Sequence, residues 1–253
     1  MNLRLNVPSA LAGALILGLT LTTLGMRQAM TATQIPTITP EQREILSHMS
    51  IVQLSDGQGG LRRTIRISGV NLQLVNGLGS TASINGLGNL IVGYCEGGMP
   101  LGDDRTGSHN IVGGTLNSFS SWGGFVVGRA NAVAGPWASV SGGAGNTAVS
   151  SDSSVGGGYA NHVAANYGWA AGGSQNVVSG EYGSSCGGSL NSVGGINALV
   201  AGGALNSSVG DASTVTGGEE NTAGGVRAAV SGGRLRTASS AYDWAAGSLL
   251  EDS

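Results

Sequence analysis

The chain has 253 residues, of which 47 are glycine and only 4% are Phe, Trp or Tyr. That composition excludes a thick aromatic core and leaves either disorder or a thin, regularly repeated fold. Charged residues make up 10%, all the cations are arginine, and the formal net charge is −3, so no basic patch for nucleic acid is available.

Residues 1–32 read as a secretory signal. Arg4 supplies the positive start, and Ala10 to Leu24 is an apolar run of suitable length, with cleavage expected after Ala32. The run falls short of the ~20 residues that a membrane-spanning helix needs. Without Arg4 and Arg27 the mature chain carries 14 acids against nine arginines, a net of about −5. The expected location is secreted or at the cell surface, on the exterior of an outer membrane, with no membrane span in the mature chain.

Residues 33–58 are assigned to a proline-punctuated linker and a short helix. Thr39 fits an N-cap, Pro40 the first helical position, and Glu41 and Glu44 the first turn. Ile45, Met49 and Val52 recur at helical spacing, predicting a helix of about 15 residues that ends at Asp56-Gly57.

Residues 59–108 read as a β capping region. Thr64 to Leu74 alternates apolar and polar positions, with Gly69 shifting the phase as a bulge does. Asn76-Gly77 and Asn85-Gly86 are turn dipeptides, and Asn89 to Gly93 reads as a buried strand. Stacked repeats need such atypical ends.

Residues 109–253 form the repeat domain. Asn131, Asn146, Asn161, Asn176, Asn191, Asn206 and Asn221 fall at a constant step, with Asn117 ahead of them and Arg236 in the next slot. Gly-Gly pairs, from Gly142-Gly143 to Gly232-Gly233, keep the same step, as do Val140, Val155, Val200, Val215 and Val230. A period of about 15 residues is too short for a helical repeat and suits one coil of a parallel β-solenoid. Coils stacked ~4.8 Å apart place each residue above its equivalent. The asparagines are then expected to form a structural ladder of side-chain amides. Alternation turns the valines inward and Ser141 outward. So small a core leaves much of the stability to hydrogen bonds between coils and to burial against other chains.

The unit VSGGAGNTAVSSDSS, beginning at Val140, resembles the YadA-like head repeat of trimeric autotransporter adhesins, whose unit is about fourteen residues long. The matching positions are Val140, Gly143 and Ala148 in one unit and Val230, Gly233 and Ala238 in another. Gly180, Gly195, Gly210 and Gly225 fit a later glycine of that repeat. Segments 109–114 and 124–135 look closer still, with Val127 where the family carries isoleucine. The resemblance spans about residues 109–248. It implies a left-handed β-roll and a homotrimer displayed for attachment to a host matrix protein or a glycan. The sequence departs from the family in its extra residue per coil, in asparagine at an alanine position, and in ending SLLEDS without a coiled-coil stalk or barrel pattern.

No catalytic, cofactor or metal site is expected. His48, His109 and His162 form no HxxxH or HExxH pattern, Asp103-Asp104 lacks the calcium nonapeptide, and no GxxxxGK occurs. Cys95 and Cys186 are 91 residues apart, too far along a stack for an expected bridge. Trp122, Trp137, Trp169 and Trp244 are the exposed-aromatic candidates. Trp169 and Trp244 share a column five units apart and are the candidate ligand contacts, with packing between chains as the competing role. The functional expectation is therefore a non-enzymatic adhesive module; the alternative is an ice- or glycan-binding secreted solenoid.

Overall fold

A computed structural model describes residues 38–97 and 103–247. The expected leader 1–32, most of the linker and the final SLLEDS lie outside the described residues. The chain divides into two compact units, the first ending at Asn71 and the second starting at Leu72.

The first unit opens with α1 (Pro40–Ser47). Thr39 accepts the Gln42 N–H at 3.2 Å, and the Gln42 side chain accepts the Thr39 N–H at 2.9 Å, a reciprocal capping box with proline at the first helical position. The helix is shorter than its apolar spacing predicts. Met49 and Val52 belong to β1 (Met49–Ser55), which pairs antiparallel with β2 (Leu61–Ile67). The pairing partner decides the matter: Met49 faces Ile67 and Ile51 faces Ile65, a period-2 match that one helical stripe does not offer. Asp56 closes the hairpin by accepting the N–H groups of Gln58 (3.0 Å) and Gly60 (2.8 Å) and by pairing with Arg62 at 2.7 Å. Gly69 is not a bulge within a strand, because β2 ends at Ile67 and Gly69 follows with φ +76°.

The second unit is a parallel β-solenoid, as the repeat predicts. It begins with β3 (Leu90–Val92), β4 (Ile111–Thr115), β5 (Ser118–Phe119), β6 (Phe125–Arg129), β7 (Ala132–Val133) and β8 (Ser139–Val140). Two-residue strands then alternate through to Trp244–Ala245, giving an 11-stranded and a 9-stranded sheet. The strand at Leu90 is present but exposed rather than buried, because it is the edge of its sheet and pairs only with β4.

The fifteenth residue has a definite place. Val126 pairs with Val140, fourteen residues on, whereas Arg129 pairs with Ala144, fifteen on. The extra residue therefore enters at the corner Ser141-Gly142-Gly143. It divides a continuous strand like β6 into a two-residue strand and an isolated bridge. In later coils the second glycine of the pair keeps positive φ, +82° at Gly203, and a Cβ there would stand 2.1 Å from the Gly218 oxygen.

Two columns of side chains from opposite sheets line the core, joined by small buried residues at a turn such as Ala138, Ala198 and Ala228. One column holds Val133, Ala148, Val163, Val178 and Val193; the other holds Val140, Val155, Ala170, Val200, Val215 and Val230. All are buried. Ser185 and Ser208 interrupt these columns; Ser208 bonds Ser213 at 2.7 Å, while Ser185 Oγ is buried with no partner.

The Leu72–Asn89 segment caps the solenoid through side chains rather than strands. Asn76 and Asn85 accept the N–H groups of Leu78 (3.0 Å) and Leu87 (3.1 Å) in Asx turns. His109 Nε2 accepts the Asn76 N–H at 3.1 Å, which leaves Nδ1–H to donate to the Thr81 oxygen at 3.0 Å.

Candidate functional site: columns along the solenoid

The asparagines run up the interior of one corner. Each Oδ1 accepts the backbone N–H of the next asparagine, at 2.8 to 3.0 Å from Asn131 through Asn221. Each Nδ2 donates to the carbonyl four residues back and to a glycine carbonyl of the coil above, as Asn191 does to Gly187 (2.9 Å) and Gly203 (3.1 Å). The ladder thus runs mainly through the backbone, with direct amide–amide bonds at Asn161 and Asn176. This geometry satisfies corner groups that the sharp turn removes from the sheets. Asn117 begins the column and Arg236, whose N–H caps the last Oδ1 at 2.9 Å, closes it.

Charge is confined to edges. Between Ala132 and Val230 the acidic and basic residues are Asp152, Glu181, Asp211 and Arg227 at one corner and Glu219 and Glu220 at the other. The outer faces of both sheets carry small or uncharged side chains across those coils, including Ser139, Ser154, Ser184 and Thr214 on the larger sheet.

Trp169 and Trp244 do share a column of the larger sheet, and both point outward, 43% and 70% exposed. Trp244 Nε1 donates to Ser231 Oγ at 2.7 Å. What the tryptophans alone do not reveal is the column two residues earlier, at the turn: Trp137, Asp152, Tyr167, Tyr182, Asn197, Ala212, Arg227 and Tyr242. Tyr167 and Tyr182 stack with centroids 4.9 Å apart and planes 3° from parallel. Trp137 meets Trp122 edge-on at 4.3 Å, and Arg227 lies 5.5 Å over the Tyr242 ring while donating to its hydroxyl. Every residue of this column has φ between +55° and +65°. For a bulky L-residue that conformation costs on the order of 1 kcal/mol. Aromatics six places after Asn131, Asn161, Asn176 and the Arg236 slot are the signal that reveals the column.

Cys95 and Cys186 are free thiols. Asp103 pairs with Arg105 at 3.5 Å, and Asp104 accepts from the Thr106 N–H and hydroxyl, so the loop's own donors engage both carboxylates. Among the described residues no group of three or more His, Cys, Asp or Glu is placed to hold a metal ion. No family model and no curated protein matches the chain.

Proposed function

We propose that the chain is a non-catalytic adhesive module that works as an assembly of copies outside the cell, three by the resemblance of its repeat to adhesin heads. One observation carries this reading. The hairpin face formed by Met49, Ile51, Ile65 and Ile67 is uncovered, with Ile51 63% and Ile65 66% exposed, and α1 contributes no buried residue. A lone two-stranded hairpin is marginal in water. A second and third copy of the same apolar face supply the missing cover. The uncharged outer faces of the solenoid add surface that can approach another chain without burying unpaired charge.

Multiple copies also give the module its use, because weak contacts repeated along several parallel stacks add up to avidity. Light scattering on a sizing column tests the assembly. A mass three times that of the chain supports the reading; a single-chain mass at micromolar concentration overturns it.

A further inference from the structure

We infer that the aromatic corner is a carbohydrate-binding track, recognising pyranose rings of an extended polysaccharide at two Tyr–Trp platforms. This rests on the adhesive reading and names its ligand class. The platforms are Tyr167 with Trp169, extended by the stacked Tyr182, and Tyr242 with Trp244. In each, the tyrosine occupies the turn and the tryptophan the outer face of the larger sheet two residues on, within YGWAAGG and YDWAAGS.

Core packing does not explain these side chains. They stand 43% to 70% exposed, outside the buried core, and the tyrosines hold a left-handed backbone that asparagine or aspartate adopts more readily. Asn197 and Asp152 occupy the same column. Positive φ recurs at this corner in every coil, and at Gln175, Leu190 and Leu205 elsewhere, so the large exposed rings rather than the backbone point to a ligand.

The chemistry is that of a sugar. A pyranose offers a face of C–H groups to an aromatic ring and an edge of hydroxyls to neighbouring polar groups. The corner alternates both kinds of partner, with Asn166 beside Tyr167, Asp152 one coil before it and Glu181 beside Tyr182. Register also favours a polymer: the platforms are five coils apart, roughly 24 Å at ~4.8 Å per coil, and share one column. One chain engaging both gains avidity over either alone.

The test is native electrophoresis of the purified chain in gels containing hydroxyethylcellulose, xylan, galactomannan or dextran, one per gel. Retardation in at least one gel is expected. The variant Y167N/W169S, and separately Y242N/W244S, should weaken it about tenfold or more, and the quadruple variant should abolish it. These replacements are residues that other coils carry at the same positions, Asn197 in one column and Ser154 and Ser184 in the other. Migration unaffected by every polymer, or a quadruple variant retarded as strongly as the parent, overturns the proposal. So does a quadruple variant whose mass by light scattering falls, since the rings would then be buried between copies. A parent that is retarded yet monomeric leaves the track standing and removes the assembly.

Discussion

The backbone N–H of Asn191 donates to the side-chain oxygen of Asn176, 3.0 Å away in the coil beneath. Repeated at every coil, that bond ties a side chain to the backbone at the sharpest part of the turn. Replacing Asn176 with alanine orphans the Asn191 N–H and removes the donors to Gly172 and Gly188. A loss of about 2–4 kcal/mol is expected. Urea unfolding followed by circular dichroism measures it. Asn176→Asp should be no better, because its carboxylate faces carbonyl oxygens.

The Gly-Gly corner makes a sharper contrast between adjacent residues. Gly203 holds φ +82° and its absent Cβ would lie 2.1 Å from the Gly218 oxygen, whereas a Cβ on Gly202 meets nothing within 4 Å. Gly203→Ala should therefore displace the coil above and cost at least about 3 kcal/mol, while Gly202→Ala should change stability by about 0.5 kcal/mol or less. Urea midpoints of the two variants provide the comparison.

Much of the solenoid is legible because stacking copies each residue's environment onto the next coil. The valine columns and the asparagine step are therefore visible as periodicity before any coordinates. Three features are not. Ile45, Met49 and Val52 fit a helix, and only the register with Leu61–Ile67 makes the latter two strand residues. Tyr167 and Leu190 adopt positive φ without being glycine, because the coil below fixes their backbone. The partner of each ladder amide depends on corner geometry that spacing does not encode.

Ser185 and Ser208 occupy core columns but differ in hydrogen bonding. Ser185 Oγ is buried and unpaired, so Ser185→Ala, which reproduces Ala170 in the same column, should stabilise by about 1 kcal/mol. Ser208→Ala strands the Ser213 hydroxyl and should destabilise by a similar amount, about 1 kcal/mol. The double variant S208A/S213A should recover most of that loss. A thermal-unfolding double-mutant cycle separates the terms.

The hairpin turn should respond to acid. The N–H groups of Gln58 and then Gly60 hold the Asp56 carboxyl below its ordinary range, against a smaller opposing effect of desolvation. Asp56 therefore binds protons less readily when folded. Its contribution is present above the unfolded value of about 4 and is lost as pH falls through the lower folded value. The amide resonances of Gln58 and Gly60 should shift together below about pH 4, and Asp56→Asn should flatten both titrations. Titration of the two amides at different pH values would show that Asp56 does not bridge them.

Assembly should be separable from the solenoid by a single charge. Ile51 and Ile65 face each other across the hairpin, both on its uncovered side. Ile51→Glu places a carboxylate where a neighbouring copy would cover it, and desolvating that charge without a partner costs several kcal/mol. The expected result is a fall in mass on light scattering from the assembled state to one chain. The β-signal of the solenoid should persist, because the core of Val140, Val155 and Val200 contains no hairpin residue. Glutamate at Ser50, on the opposite face of β1, should leave the mass unchanged. If both substitutions dissociate the protein equally, general weakening of the hairpin is responsible and the apolar face is not the contact. If neither does, the copies meet through the flat solenoid faces instead.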